Sequence, residues 1–175
     1  MGLARPLPGE YFEGLAPYIA GAPDGDLLVL LKDQLGEFTS LYKGLSEQQS
    51  AYRYAPEKWS LKDLLQHLSD AERIFAYRCL RIGRGDATPL PGWEENAFAL
   101  AAKADARATA DLLADFQATR LASLELFRSL SDEAWMRQGT SNGRNITARS
   151  IPYVCLGHAA HHLGVIRERY LPGVK

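Results

Sequence analysis

Residues 60–83 read Ser60-Leu61-Lys62-Asp63-Leu64-Leu65-Gln66-His67-Leu68-Ser69-Asp70-Ala71-Glu72-Arg73-Ile74-Phe75-Ala76-Tyr77-Arg78-Cys79-Leu80-Arg81-Ile82-Gly83. Leu61, Leu64, Leu65, Leu68, Phe75, Cys79 and Ile82 recur at helical spacing and form one apolar stripe. Ser60 is a good N-cap, and Asp63 three residues on completes a capping box with a shorter acid. Gly83 and Gly85 stop the helix. The stretch therefore predicts one long amphipathic helix, and three other segments share its period. The first runs from Asp24 or Asp26 to Gly44, with Leu27, Leu30, Leu31, Leu35, Phe38 and Leu41 on one stripe. The third covers Thr109 to Leu130, with Leu112, Leu113, Phe116, Leu121, Leu124 and Phe127. The fourth is expected from Thr147 to near Tyr170, closed by Pro172 and Gly173. No segment alternates as a sustained strand. Ser141-Asn142-Gly143-Arg144-Asn145 reads as a turn or a short hairpin.

Four helices of this length predict an all-α chain built as a four-helix bundle. Residues 1–23 form a Pro/Gly-punctuated arm carrying Tyr11, Phe12, Tyr18 and Ile19. Residues 84–106 form a long connection between the second and third helices, with Pro89, Pro91, Gly92 and Trp93. A connection of that length is either a lid over a site or a crossover packed on the bundle. The 175 residues are expected to form one domain, 1–175, around one core.

With 46% hydrophobic residues the chain can bury that core, yet no apolar run reaches the ~20 residues of a membrane span. The 20 basic and 21 acidic residues balance to a net charge of −1, which argues against nucleic acid and against anionic membrane surfaces as partners. Cys79 and Cys155 are too few for a disulfide framework, and Met1 to Glu10 lacks the apolar stretch of a signal peptide. A cytoplasmic protein with reduced thiols is the expectation.

Three of the four histidines lie in Gly157-His158-Ala159-Ala160-His161-His162-Leu163-Gly164. At 100° per residue, Ile151, Val154, Cys155, Val165 and Ile166 fall within ~60° of one line, and His158 and His162 within ~20° of it. His161 is turned ~80° away. His158 and His162, at i and i+4, therefore face the bundle interior. His67 lies at the edge of the second helix's stripe. Two inward histidines from one helix and a third from another are the parts of a metal tripod that leaves positions open for water or substrate. Core histidines hydrogen-bonded to carbonyls are the alternative, although two buried imidazoles on one stripe would then find few partners.

Trp59 to Leu68, continued by Ser69 to Arg78, resembles the W-S-x-x-[DE]-x-x-x-H-L block of the DinB-like, YfiT-type family, and Gly157 to Gly164 resembles its C-terminal H-x-x-x-H-x-G block. The resemblance covers nearly the whole chain. It implies a four-helix bundle, often a homodimer, whose divalent metal (zinc, nickel or iron) is held by His67, His158 and His162. It also implies a small-molecule substrate and, in some members, a low-molecular-weight thiol. The function expected is a metal-dependent enzyme of thiol S-transfer or hydrolysis; a non-catalytic, stress-related metal-binding module is the alternative.

Cys155 shares the stripe of His158 and is read as a buried hydrophobe rather than a thiolate ligand. Glu72 and Arg169 both project from apolar stripes, where a lone charge is costly. In an up-down-up-down bundle the second and fourth helices would run parallel and bring the two together beside the histidines. The alternative leaves Arg169 in solvent and pairs Glu72 with Arg73 or Arg78.

Overall fold

A computed structural model gives the structure of residues 3–174; Met1 and Gly2 of the arm, and Lys175, lie outside the described residues. In chain order the elements are α1 (Ala16–Gly21), α2 (Leu27–Lys43), α3 (Glu47–Ser50), α4 (Leu61–Gly83), α5 (Glu95–Ala102), α6 (Thr109–Arg128), α7 (Asp132–Trp135), β1 (Gln138–Ser141), β2 (Arg144–Thr147) and α8 (Ser150–Val165). A π-helical turn over Ile166–Tyr170 prolongs α8. The long helices α2, α4, α6 and α8 make the four-helix bundle, and β1 and β2 form an antiparallel hairpin across Asn142 and Gly143.

The caps follow the sequence. Asp26 accepts from the Leu28 and Val29 amides at the start of α2. Ser60 and Asp63 exchange the two hydrogen bonds of a capping box at the start of α4. The fourth helix begins at Ser150 rather than Thr147. Thr147 ends β2 instead, and its amide donates to the carbonyl of Glu10 at 2.8 Å.

The helix directions overturn the alternating topology. Near the start of α4, Lys62 donates to the carbonyl of Arg107, just before α6, at 2.8 Å. Further along, Arg73 pairs with Asp115, and past the end of α4 Arg84 reaches Ser129 at 3.1 Å. So α4 and α6 are parallel. Between α4 and α8 the order reverses: Cys79 lies by the Ala148 carbonyl, and the Tyr170 hydroxyl donates to the Trp59 carbonyl at 2.8 Å. α2 runs with α8, since Gln34 meets Leu156 and Glu37 meets Arg167. The order is up, down, down, up. The 84–106 connection makes this possible by returning the chain along α4, whose 23 residues rise ~35 Å. On the way Leu90 bridges Ser141 of the hairpin and the chain then turns into α5.

The core divides into two apolar clusters. One contains Leu27, Leu31, Cys79, Ile82, Leu124, Phe127, Trp135, Ile151, Cys155 and Leu156. The other contains Leu35, Phe38, Tyr42, Leu61, Leu65, Leu68, Phe116, Ala159, Leu163 and Tyr170. In sequence on each helix, Gln34, Glu72, Arg120 and His158 fall between the two, and all four are buried. This polar layer is built around Arg120. Its Nε lies 2.8 Å from both Glu72 carboxylate oxygens, and its Nη1 donates to the Leu31 carbonyl at 2.9 Å and to Gln34 Oε1 at 3.1 Å. Gln34 in turn donates to the Leu156 carbonyl at 3.0 Å, so the layer joins all four helices.

Glu72 therefore pairs with Arg120, not with Arg169. Arg169 is exposed, its guanidinium 5.7 Å from the Tyr54 ring centroid. Two physical causes separate the expected partners. α4 and α8 are antiparallel, so residues beyond His67 and beyond His162 diverge. The wider π-turn also breaks the 100° projection and turns Tyr170 inward in place of Arg169. No helix among the described residues is long and apolar enough to cross a membrane.

Candidate metal centre

His67 sits in the second turn of α4, and His158 and His162 lie one turn apart on α8. The antiparallel packing of these helices brings the three together, and their candidate ligand atoms all lie within 4.8 Å of one another. His158 Nε2 is 3.1 Å from His67 Nε2 and 3.1 Å from His162 Nε2. His67 and His158 are buried and His162 is half-buried. His161 is exposed, as its angle on the helix requires.

Burial holds the imidazoles neutral. It brings His67 down to about 4 and His162 down to about 3. It pushes His158 well below the usual histidine range, with the neighbouring histidines acting in the same direction. Three neutral imidazoles cannot satisfy one another through these contacts. A neutral ring nitrogen offers either one N–H or one lone pair, so His158 Nε2 cannot form a full hydrogen bond to both neighbours. His67 Nδ1 is buried and has no hydrogen-bond partner. A divalent cation among the Nε2 atoms would use all three lone pairs. Bonds of ~2.0 to 2.1 Å at tetrahedral angles place ligand nitrogens ~3.3 Å apart, and at right angles ~2.9 Å, which brackets the 3.1 Å separations of His158 Nε2 from His67 Nε2 and His162 Nε2. The residues present fit such an ion.

Both segments singled out in the sequence reach the histidines. Trp93 of the crossover stacks on His67, with centroids 5.7 Å apart and planes at 18°. Phe98 of α5 meets Trp93 edge-on at 5.0 Å. Tyr18 of the arm meets His158 edge-on at 5.3 Å, and Phe75 of α4 does so at 5.8 Å. Trp59 also meets the His67 ring, with centroids 4.6 Å apart and planes tilted by 45°. Tyr11 and Phe12 of the arm pack instead on the cluster around Leu27 and Ile151. Cys155 is fully enclosed beside the Arg120 layer, and burial raises its thiol well above the ordinary range, so it is core and no thiolate ligand.

Arg120 and Gln34 are the residues that sequence reasoning missed. The signal for Arg120 was present: it lies four residues after Phe116 and four before Leu124, inside the apolar stripe of α6.

No curated protein matches the chain. Among solved structures it is similar to YfiT from Bacillus subtilis, described as a probable metal-dependent hydrolase with an unusual four-helix bundle topology. The two share 17% identity with a TM-score of 0.74 over 81% of this chain and 82% of that one. It is also similar to a mycothiol-dependent maleylpyruvate isomerase, at 15% identity and a TM-score of 0.66 over 79% of this chain and 58% of that one. At these identities the likeness shows the fold. The family model of the DinB superfamily matches residues 30–166, from within α2 to just past α8, and the chain belongs to that superfamily.

Proposed function

We propose that His67, His158 and His162 hold a divalent metal ion through their Nε2 atoms, and that the chain is a metal-dependent enzyme acting on a small molecule by thiol S-transfer or hydrolysis. The convergence of three neutral Nε2 atoms, with His158 Nε2 3.1 Å from each of the other two, carries this reading. When bound, a zinc, nickel or iron ion supplies Lewis acidity and makes a water or thiol acidic enough to attack near neutral pH. The chain's own residues prepare the site. Burial keeps the imidazoles deprotonated, and three protein ligands leave further positions for substrate. Trp93, Phe75 and Tyr18 form a half-buried aromatic rim that excludes bulk water and selects what approaches. The two named structural neighbours, one described as a probable hydrolase and one as thiol-dependent, support small-molecule chemistry and keep both reaction classes in play.

The test is metal analysis of protein purified without a histidine tag, followed by a thiol-conjugation and hydrolase screen with and without chelator. One metal per chain and chelator-sensitive turnover are expected. Metal that raises Tm but supports no turnover would instead indicate the non-catalytic module, and absence of metal binding would reject the reading. Localisation in the cytoplasm, assembly as a homodimer and the extent of one domain over residues 1–175 are part of the same proposal, checked by fractionation, by light scattering and by limited proteolysis.

A further inference from the structure

Away from the histidines, one end of the bundle holds a cavity of ≈ 510 Å³. α2 begins here with Leu27, α6 ends here with Arg128, and Arg149 precedes α8. His158 and His162 lie ~14 and ~20 Å further along α8 than residue 149, and the cavity shares no residue with the metal centre. Its volume falls within the ~300 to 1,000 Å³ of ordinary small-molecule pockets.

The inner wall is apolar. Leu27, Phe127, Leu130 and Trp135 are buried members of the adjoining core cluster, and each also lines the cavity. The Phe127 and Trp135 rings meet with centroids 6.3 Å apart. Met136 lines the cavity from an exposed position, with an unbranched side chain able to adapt to a guest. Leu3 and Ala4 bring the arm to the same space.

Four charged residues line the cavity, two of each sign. Both cations are already engaged. Arg149 holds the Glu10 carboxylate through Nε and Nη2, and Arg128 pairs with Glu125. Neither acid forms an ion pair among the described residues. Asp26 spends Oδ1 on the amides of Leu28 and Val29, and Asp132 opens α7 from an exposed position. With each arginine set against its own glutamate, the carboxylates of Asp26 and Asp132 remain uncompensated. An entering anion would meet cations whose charge is already cancelled; an entering cation meets two free carboxylates.

We infer that this cavity binds a small organic cation with an apolar body, an aralkylamine, whose ring lies against Phe127 and Trp135 and whose ammonium faces Asp26 and Asp132. The ring displaces water from the apolar wall, and the carboxylates at its margin select the charge. The inference does not rest on the metal-centre reading.

Titration of metal-free, full-length protein followed by nuclear magnetic resonance tests it. The probes are 2-phenylethylamine, 2-phenylethanol and 3-phenylpropanoate at pH 7, one cation, one neutral molecule and one anion of similar shape. The chain has three tryptophans, and Trp135→Phe assigns the indole N–H signal of residue 135. The expected result is a saturating shift of the Trp135 signal while those of Trp59 and Trp93 stay in place. The amine should bind ~3- to 10-fold more tightly than the alcohol, the carboxylate most weakly. Asp26→Asn and Asp132→Asn should each reduce the amine's advantage and leave the alcohol's affinity unchanged, since asparagine still caps α2. Ala4→Phe, at an exposed position on the wall, should weaken all three probes. Equal binding of amine and carboxylate overturns the inference. So does an amine advantage that survives in both asparagine variants, a shift confined to Trp59 or Trp93, or a Trp135 signal that no probe moves. If an asparagine variant does not fold, the order of the three probes on the native chain and on Ala4→Phe decides.

Discussion

Gly157 of α8 lies directly against the backbone of Tyr18: a Cβ at residue 157 would come 1.8 Å from the Tyr18 carbonyl oxygen. The contact is made by backbone and cannot be relieved by a rotamer change. It lets α1 lie close on α8 and sets the Tyr18 ring on His158, one residue along. The arm is held from other points as well. Arg5 donates to the carbonyls of Ile19 and Ala22 at the end of α1, and the Tyr153 hydroxyl donates to the Leu3 carbonyl at 2.6 Å. Gly157→Ala should therefore displace the arm as a unit and cost about 1–3 kcal/mol by overpacking. Denaturant unfolding and limited proteolysis check this. Unchanged stability with an arm still protected from cleavage would show that the close approach is dispensable.

The Glu72–Arg120 pair makes the second prediction. Removing one partner of an enclosed ion pair leaves the other charged and alone, so Glu72→Ala should destabilise by about 3–5 kcal/mol. Glu72→Gln should cost less, because the shape and one acceptor remain. Replacing both partners, as in Glu72→Leu with Arg120→Met, should recover most of the loss, since apolar groups of similar volume remove the desolvation cost together. The two apolar clusters would then fuse across the layer. Urea unfolding of the native chain, Glu72→Leu, Arg120→Met and the double variant forms a double-mutant cycle. Strict additivity, with the double variant as unstable as the sum of the singles, would contradict the pairing.

The history of Glu72 also shows where sequence reading succeeds and stops. Its burial was legible, because a 100° projection along α4 places it in the stripe. The same projection turned His158 and His162 inward and His161 outward, and the spacing of Ser60 and Asp63 gave the start of α4; the structure agrees on all of these. The partner was not legible, since it depends on helix direction, a property of the connections rather than of any helix. The length of the 84–106 segment was the clue: a bundle with parallel second and third helices needs a crossover of that kind. Arg169 was misplaced for a local reason, because the π-turn at Ile166–Tyr170 changes the period from which its direction was inferred.

Trp93 supplies the third prediction. It stacks on His67 and is itself braced by Phe98, so Trp93→Ala uncovers one candidate ligand without replacing any of the three. The lost ring contacts should cost about 1–2 kcal/mol in stability. The larger effect should be on access: a chelator such as EDTA should strip the metal severalfold faster, while the equilibrium affinity stays close to that of the native chain. Stopped-flow metal release with a chromophoric chelator measures both. Identical release rates would mean that the crossover does not gate the site.

Acid titration gives the fourth. Glu10 in the arm forms an ion pair with Arg149, just before α8, and also accepts from the Thr147 hydroxyl. The hydrogen bonds from Arg149 outweigh partial burial and lower the Glu10 carboxyl below the usual glutamate range. In the unfolded chain that carboxyl titrates near its reference value of ~4.3. A depressed folded value means the unfolded state binds the proton more readily. The pair therefore stabilises fully above the reference value, and its contribution is lost as pH falls through the lower folded value. With solvent screening at this partly open site, Glu10→Gln should cost about 1 kcal/mol at pH 7. That difference should vanish as pH is lowered past the folded value. Stability curves of the two proteins from pH 7 downward test it, and a difference that grows with acidification would reverse the sign and reject the assignment.

The three histidines of α8 allow a comparison within a single helix. His158 is central: its Nε2 contacts both other candidate ligand atoms, and its ring is enclosed by Tyr18 and Phe75. His162 is half-buried at the edge of the site, and His161 is exposed beside it, with ring centroids 5.2 Å apart. An imidazole that reaches solvent and lies outside the convergence point adds nothing to a three-nitrogen site. His161→Ala should therefore leave metal stoichiometry and affinity unchanged. Changes beyond the ligand shell cost ~10–100-fold in affinity, so loss of a ligand should exceed that range. His158→Ala should abolish binding at micromolar metal, because the remaining two nitrogens no longer share a bridging partner. His162→Ala should weaken binding but leave a measurable site, since water can reach the position it vacates. Competition against a chromophoric chelator ranks the variants. An order in which His161→Ala is as damaging as His162→Ala would mean that the helix presents a different pair of histidines to the metal.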